Sequence, residues 1–153
     1  MPLFSGVIPP VVVPLTASYQ VDWPSYTKVL EHLIAGGVHG LFVLGSTSEV
    51  VFHDEATRQR IIEHSVKIAA GRLPVLAGVI APATEGVIGH ARIARGAGVA
   101  AIVVTAPFYT RTSAPEIEDH FRYVADAIAL PLVAYDIPVC VHSKLDRAMV
   151  VRL

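Results

Sequence analysis

The sequence predicts an α/β fold and, within that class, an incomplete (β/α)8 TIM barrel that contains about the first five β/α units. The first observation is composition, since 53% of the 153 residues are apolar and only 16% are charged. The second is the alternation of short apolar runs with helical segments, which together with this composition indicates a parallel sheet that is buried on both faces. The third is the lack of a glycine-rich phosphate loop after the first run, which favours a barrel over an open nucleotide-binding sheet.

Five short runs rich in Val, Ile and Leu are predicted to form buried strands. They cover residues 7–15, 40–44, 74–79, 101–105 and 130–137. Helical spacing is clearest over 23–35, where apolar residues fall on one face behind the polar start at Asp22 and Pro24. Helices are also predicted over 54–70, 84–95 and 114–129, and a last one begins at Ser143 and runs to Leu153. Strands joined by helices of this length lie parallel, through right-handed crossovers.

An open doubly wound sheet has the same alternation of strands and helices as a barrel. The sequence of the loop after the first strand distinguishes the two folds. Residues 14–19 read Pro-Leu-Thr-Ala-Ser-Tyr and offer no glycine nest to a nucleotide. A flavodoxin-like domain, the alternative, would bind an anion at this loop. No linker interrupts the pattern, so residues 1–153 are predicted to form a single domain.

Charge and composition exclude several classes of partner. Twelve basic and thirteen acidic side chains leave a net charge of −1, which would not attract nucleic acid or an anionic membrane. Small-molecule partners are expected, with no metal because the histidines lack ligand spacing, and with no cofactor. The apolar runs are too short to span a bilayer. The single cysteine, Cys140, and the absence of a leader pattern predict a cytoplasmic location.

Polar residues follow the predicted strands, at the end of a barrel where active sites form. They are Thr16, the turn Gly45-Ser46-Thr47-Ser48-Glu49, Pro107-Phe108-Tyr109 and Tyr135-Asp136. The turn at 45–49 could bind a carboxylate through its N–H groups and hydroxyls, or it could simply cap a helix. The tyrosines could equally place a ring in the core and a hydroxyl at its edge.

In order and spacing, the Gly-Ser-Thr-Ser-Glu turn, Pro-Phe-Tyr and Ala-Tyr-Asp-Ile-Pro resemble the dihydrodipicolinate synthase and N-acetylneuraminate lyase family of class I aldolases. The resemblance implies a lyase or synthase in which a lysine forms a Schiff base with pyruvate or a related 2-keto acid, which then reacts with an aldehyde. It implies that Gly45, Ser46 and Thr47 bind the keto-acid carboxylate, that Tyr135 transfers protons, and that Ser46 and Tyr109 connect Tyr135 to solvent. It also implies a homodimer or homotetramer, with Tyr109 contributed across an interface.

The lysine of the family lies on strand six, which is expected beyond Leu153, so the chain alone is predicted to be inactive. Its own lysines are Lys28, Lys67 and Lys144. The first two are predicted on exposed helix faces. A capping box formed by Ser143 and Asp146 would place Lys144 in the first turn of a helix, exposed and hydrated.

Two departures from the family concern substrate and activity. Dihydrodipicolinate synthases usually carry an arginine shortly after the strand-five tyrosine, whereas residues 139–142 read Val-Cys-Val-His. An acidic aldehyde would lose its bidentate partner there, so Cys140 and His142 either face a less charged or sugar-like aldehyde or simply pack. Phe108 and Ser48 also replace more usual residues. The alternative hypothesis is a non-catalytic half-barrel that self-associates or complements another fragment, because its edge strands are open.

Overall fold

The four apolar runs from residue 40 onward form a parallel sheet in a computed structural model that describes residues 3–153. The strands are β1 (Leu41–Val43), β2 (Val75–Gly78), β3 (Ala101–Thr105) and β4 (Leu132–Tyr135). They lie side by side in the order β1-β2-β3-β4, each parallel to the next. A flavodoxin-like sheet reverses its strand order at a switch point, so this sequential order rules out that alternative and agrees with a barrel.

The first predicted strand, over residues 7–15, does not form a regular strand. Pro9, Pro10 and Pro14 have no N–H to donate to a sheet. The segment instead runs beside β1 through a single parallel bridge between Pro10 and Phe42. The N–H of Val11 donates to the Phe42 carbonyl at 2.9 Å, and the N–H of Phe42 donates to the Pro9 carbonyl at 3.1 Å. The prediction was therefore wrong in the extent of the strand, although the segment lies next to β1.

Helices follow the strands and cover one face of the sheet. They are α1 (Trp23–Ala35), α2 (Glu55–Ala69), α3 (Thr84–Gly96), α4 (Ala114–Ala127), α5 (Pro138–Val141) and α6 (Arg147–Arg152). From α1 to α4, each helix packs against the next one along the chain, as expected for one continuous outer layer. Among the described residues, no helix has both the length and the apolar character needed to cross a bilayer.

The helix predicted to begin at Ser143 begins four residues later. Asp146 is the N-cap of α6, and its carboxylate accepts a hydrogen bond from the Met149 N–H at 2.8 Å. The predicted capping box of Ser143 and Asp146 is therefore wrong. The physical reason is that Asp136 accepts hydrogen bonds from the Lys144 ammonium and the Leu145 N–H, which holds this segment as a loop.

The two faces of the sheet differ in how well they are covered. The helix-facing side contributes Val43, Ala77 and Val104 to the main core, where each is at most slightly exposed. The other side carries a smaller cluster of Leu76, Ala101 and Val103. This second face is the one that a closed barrel would enclose.

Candidate functional site

The turn after β1 is held close to β2 because residue 78 is glycine. Leu44 is buried in the left-handed conformation, with φ 57°. Its carbonyl oxygen occupies the space that a Cβ on Gly78 would need. Any side chain at position 78 would push Leu44 and Gly45 away from the sheet. This role of Gly78 was not predicted from the sequence, although a glycine inside an apolar strand is a known sign of close backbone approach.

A 3₁₀ turn over Ser46–Ser48 follows buried Gly45. The buried Ser48 hydroxyl donates to the Val11 carbonyl at 2.6 Å, which anchors the turn to the N-terminal segment. Ser46 and Thr47 are exposed, and their backbone N–H groups have no hydrogen-bond acceptor within residues 3–153. Unpaired N–H groups beside hydroxyls can bind an anionic oxygen.

Ser46 and Tyr135 come together across the edge of the sheet. The Ser46 Oγ lies 3.5 Å from the Tyr135 hydroxyl oxygen. Tyr135 ends β4 opposite Thr105, the last residue of β3. Its ring packs edge-on against Phe42, with the ring centres 5.8 Å apart, so the phenol is held at the rim while the ring lies on the inner face of the sheet.

Tyr109 and Thr16 do not join this pair within the chain. Tyr109 is 94% exposed, has φ 77°, and lines a separate pocket together with Arg111 and His142. The Thr16 hydroxyl accepts a hydrogen bond from the Gln20 N–H at 3.2 Å and therefore stabilises its own turn.

None of the lysines of the chain is placed as a buried nucleophile. Lys28 and Lys67 are exposed on α1 and α2, as predicted. Lys144 lies in a loop rather than in a helix, its side chain is 67% exposed, and it forms an ion pair with Asp136. The hydrogen bond from Lys144, followed by that from the Leu145 N–H, lowers the pKa of the Asp136 carboxyl below its ordinary value.

A buried histidine supports the end of β3, and its role was not predicted from the sequence. The Nε2 atom of His120 lies 3.2 Å from the Thr105 carbonyl oxygen, and its Nδ1 atom lies 2.9 Å from the Thr84 hydroxyl. Since a carbonyl can only accept, Nε2 carries the proton and Thr84 donates to Nδ1. Burial lowers the pKa of His120 below its ordinary value, so the neutral ring is favoured.

Arg58 connects the segment before α2 to the loop that follows β2. Its guanidinium donates to the carbonyl oxygens of His53 and Ile80, both at 2.9 Å, and one nitrogen lies 3.1 Å from His90 Nε2. Burial, followed by the nearby Arg58 charge, lowers the pKa of His90. A neutral His90 can accept this hydrogen bond.

A cavity of about 290 Å³ opens beside Ser46 and Tyr135. Three residues that carry hydroxyl groups, Ser46, Tyr135 and Thr105, line it, and most of the remaining lining is apolar. Thr47 is adjacent in sequence but does not line the cavity. Within residues 3–153, no three His, Cys, Asp or Glu side chains are grouped so that they could hold a metal ion.

The model of the Dihydrodipicolinate synthetase family matches residues 3–153. The chain is 36% identical over 152 residues to a 4-hydroxy-tetrahydrodipicolinate synthase of Phenylobacterium zucineum, covering 99% of this chain and 51% of that protein. It is 33% identical over 153 residues to a probable 2-dehydro-3-deoxy-D-pentonate aldolase, YjhH, of Escherichia coli, covering 100% of this chain and 51% of that protein.

Solved structures agree with these relatives. YagE of Escherichia coli, a prophage protein of the dihydrodipicolinic acid synthase family solved with pyruvate, superposes with a TM-score of 0.94 at 34% identity, covering 97% of this chain and 50% of YagE. A dihydrodipicolinate synthase of Acinetobacter baumannii, also complexed with pyruvate, gives a TM-score of 0.96 at 27% identity, covering 98% and 52%. The chain spans about half the length of the relatives it matches, and its fold is an incomplete TIM barrel, as predicted.

Proposed function

Because the chain belongs to the dihydrodipicolinate synthetase family, we propose that it supplies the first half of a lyase or synthase that acts on pyruvate or a related 2-keto acid through a Schiff base. The observation that carries this proposal is the placement of the Ser46 hydroxyl 3.5 Å from the Tyr135 phenol, beside a turn with unpaired N–H groups. The pyruvate complexes of two similar structures support the choice of a 2-keto acid.

Each group has a role in the proposed reaction. A lysine amine attacks the ketone carbon, a C–N bond forms, and the ketone oxygen leaves as water. The resulting iminium loses a proton from the neighbouring carbon to give an enamine, which forms the bond to the aldehyde carbon. Tyr135 carries protons in these steps, with Ser46 as its partner. The N–H groups of Ser46 and Thr47, after buried Gly45, hold the keto-acid carboxylate.

The proposal places the nucleophilic lysine outside these 153 residues. A Schiff-base lysine must lose its proton before it attacks, which burial or a cationic neighbour promotes. Lys28 and Lys67 are exposed on outer helices, and Lys144 is exposed and paired with a carboxylate. The chain alone is therefore proposed to be inactive.

Tyr109 is proposed to complete the site of a second subunit in a homodimer or homotetramer. Its ring extends from the chain surface with 94% exposure and does not reach Ser46 or Tyr135 of its own chain. A phenol held in this way is available to a neighbouring copy.

Borohydride trapping tests the Schiff base. Pyruvate and borohydride should add a stable reduced adduct to a lysine in a chain extended to the length of its relatives, and should leave the 153-residue chain unmodified. Mass spectrometry of peptides locates the adduct. A stable adduct on Lys28, Lys67 or Lys144 would overturn the placement of the nucleophile.

A second candidate function is that of a non-catalytic half-barrel that associates with itself or with another fragment. It is favoured by β4, whose outer edge has no strand partner within residues 3–153 and whose Ala134 is exposed. Light scattering after size-exclusion chromatography tests it, because self-association predicts a mass that rises with concentration. A monomer that unfolds cooperatively would argue against this function.

A further inference from the structure

The segment that follows Tyr135 forms part of the cavity wall and has little regular structure of its own. We call residues 137–143 the α5 loop, because they contain α5 and the residues on either side of it. Ile137, Cys140 and Val141 of this loop line the cavity. Helix α5 is a single turn of four residues, and a helix of that length is not stable by itself in water. Contacts outside the helix must therefore hold this part of the wall in place.

Asp136 joins the two ends of the α5 loop. It is the first residue after β4, and its two carboxylate oxygens bind groups that follow the loop. The Oδ1 atom accepts a hydrogen bond from the Leu145 N–H at 3.0 Å, and the Oδ2 atom accepts one from the Lys144 ammonium. The Leu145 side chain is buried in the main core, so the end of the loop is attached to the body of the chain. The carboxylate attaches the beginning of the loop to the same place.

We propose that Asp136 is a positioning residue for the proposed reaction, whose carboxylate holds the α5 loop as a fixed wall of the cavity beside the Tyr135 hydroxyl. The inference rests on the proposed function for the reaction, and it adds a residue that acts through the loop, since Asp136 does not itself line the cavity. The keto-acid carboxylate is proposed to bind the Ser46 and Thr47 N–H groups, which belong to another segment. The α5 loop should therefore matter mainly for the second molecule, the aldehyde.

Hydrogen exchange of the 153-residue chain tests the loop without catalysis. The N–H groups of Val141 and His142 donate to carbonyl oxygens within the loop, so their amides are protected while α5 is formed. Asp136→Ala removes both contacts of the carboxylate. We expect it to speed exchange at these two amides by at least about tenfold, since hydrogen bonds to a charged group are lost.

Asp22→Ala is the matched control for this measurement. Asp22 is the N-cap of α1 and accepts a hydrogen bond from the Ser25 N–H at 3.1 Å, so its loss also removes a contact between a carboxylate and the backbone. This variant should leave exchange at Val141 and His142 unchanged, because opening of the α5 loop does not involve α1. No acceleration in Asp136→Ala, or equal acceleration in the two variants, would overturn the inference.

Two further variants separate the contacts of the carboxylate. Asp136→Asn keeps an oxygen that can accept from the Leu145 N–H but loses the pairing with Lys144, and Lys144→Met removes the ammonium alone. Each should speed exchange in the loop by at most about fivefold, because a partly exposed ion pair contributes little. Exchange in Asp136→Asn as fast as in Asp136→Ala would show that the hydrogen bond from Leu145 does not hold the loop, which contradicts the proposed role.

Kinetics of a chain extended to the length of its relatives connects the loop to the reaction. Asp136→Ala should lower kcat/KM for the aldehyde by about 10–100-fold, as a displaced wall would, and Asp136→Asn should recover most of this loss. The rate of borohydride trapping with pyruvate should stay unchanged in both variants, because the 2-keto acid binds at the other segment. Equal losses in trapping and in aldehyde kinetics would indicate general damage to the fold and contradict a positioning role.

The outcome is distinguishable from a failure of the proposed function. If borohydride labels no lysine in the extended chain while Asp136→Ala still speeds exchange in the α5 loop, the reaction is wrong and the attachment of the loop stands. If trapping succeeds and Asp136→Ala leaves the aldehyde kinetics unchanged, the reaction stands and the positioning role of Asp136 is wrong.

Discussion

Ser46 and Tyr135 are separated by 89 positions in the chain, and their oxygen atoms lie 3.5 Å apart. Parallel strands place their carboxyl ends at one edge of the sheet, so residues that follow β1 and β4 meet at the same rim. The distance is longer than the 2.7–2.8 Å typical of a hydroxyl pair. Catalytic hydrogen bonds often tighten when a substrate binds, and this pair has room to do so.

The Tyr135 hydroxyl provides the first prediction. In a chain extended to the length of its relatives, Tyr135→Phe should lower kcat by about 10²–10⁴-fold, because it removes a proton-transferring group. Steady-state kinetics with pyruvate and a range of aldehydes measures the loss. Tyr123→Phe is the matched control, since it removes a phenol that is 62% exposed on α4. Equal losses in the two variants would show that Tyr135 has no particular role.

The burial of His120 leads to a prediction about how the free energy of unfolding depends on pH. Burial lowers its pKa below the ordinary value of 6.5, so the unfolded chain binds the proton more tightly than the folded chain. Its contribution to stability is complete above pH 6.5 and is lost as the pH falls toward the lowered pKa. The free energy of unfolding should drop there by up to about 1.4 kcal/mol per pH unit for one such group.

Urea unfolding at a series of acidic pH values tests this contribution. His120→Gln should reduce the slope while lowering stability overall, because the hydrogen bonds to Thr105 and Thr84 are altered. His32→Gln removes an exposed histidine and controls for the loss of one titratable group. An unchanged slope in His120→Gln would assign the pH dependence to other residues, of which His64 and His90 also have a pKa lowered by burial.

At the scale of elements, strand β2 contacts the turn that follows β1. This contact fixes the position of that turn, which carries Ser46 and Thr47, relative to the sheet. Leu44 contacts Gly78 so closely that a Cβ there would overlap its carbonyl oxygen. Gly78→Ala should therefore destabilise the chain by about 1–3 kcal/mol. Gly89→Ala is the control, because Gly89 lies within α3 with open space around its Cβ position, and it should stabilise by about 0.5–1 kcal/mol. Urea unfolding measures both, and destabilisation of similar size in the two variants would refute the close contact.

The start of α6 gives a second prediction at this scale. Asp146→Ala removes the acceptor of the Met149 N–H and should cost about 1 kcal/mol. Ser143→Ala changes a residue that lies before the helix and should alter stability by less than about 0.5 kcal/mol. Urea unfolding, together with hydrogen exchange at the Met149 amide, distinguishes the two. A larger effect of Ser143→Ala would support the capping box predicted from sequence.

At the scale of the whole molecule, one face and one edge of the sheet are incompletely covered. The inner face carries Leu76 and Val103, and Val133 on β4 is 37% exposed opposite Val103. Exposed strand edges next to apolar surface promote association.

A substitution at Val133 tests whether this face takes part in association. If the 153-residue chain self-associates, Val133→Lys should shift it toward the monomer, because a charge on the open face disfavours edge pairing. Val139→Lys adds the same charge on α5, outside the strands of the sheet and at 81% exposure, and should leave the distribution unchanged. Light scattering over a range of concentrations measures both. A monomer fraction that Val133→Lys does not raise would exclude the open face of β4 from the contact.

Apolar periodicity and local capping were enough to predict the class of fold and most helix bounds. The helix predicted over 23–35 matches α1, because Asp22 and Pro24 define its start locally. The run over 101–105 matches β3. Its five consecutive apolar or small residues predicted a buried strand, and all five are buried. The positions of Ser46 and Tyr135 at strand ends followed from the same pattern, which is why their meeting at one rim could be anticipated.

Features that depend on distant contacts were not readable in this way. The hydrogen bonds that Asp136 accepts moved the start of α6 from Ser143 to Arg147. The irregular first strand is a different case, because Pro9, Pro10 and Pro14 are visible in the sequence and lack the N–H groups of a regular strand. The support of Thr105 by His120 and the contact of Gly78 with Leu44 join residues that local sequence does not relate. The apolar character of the cavity likewise arises from four separate segments that meet at its wall, because packing in three dimensions chooses which side chains become neighbours.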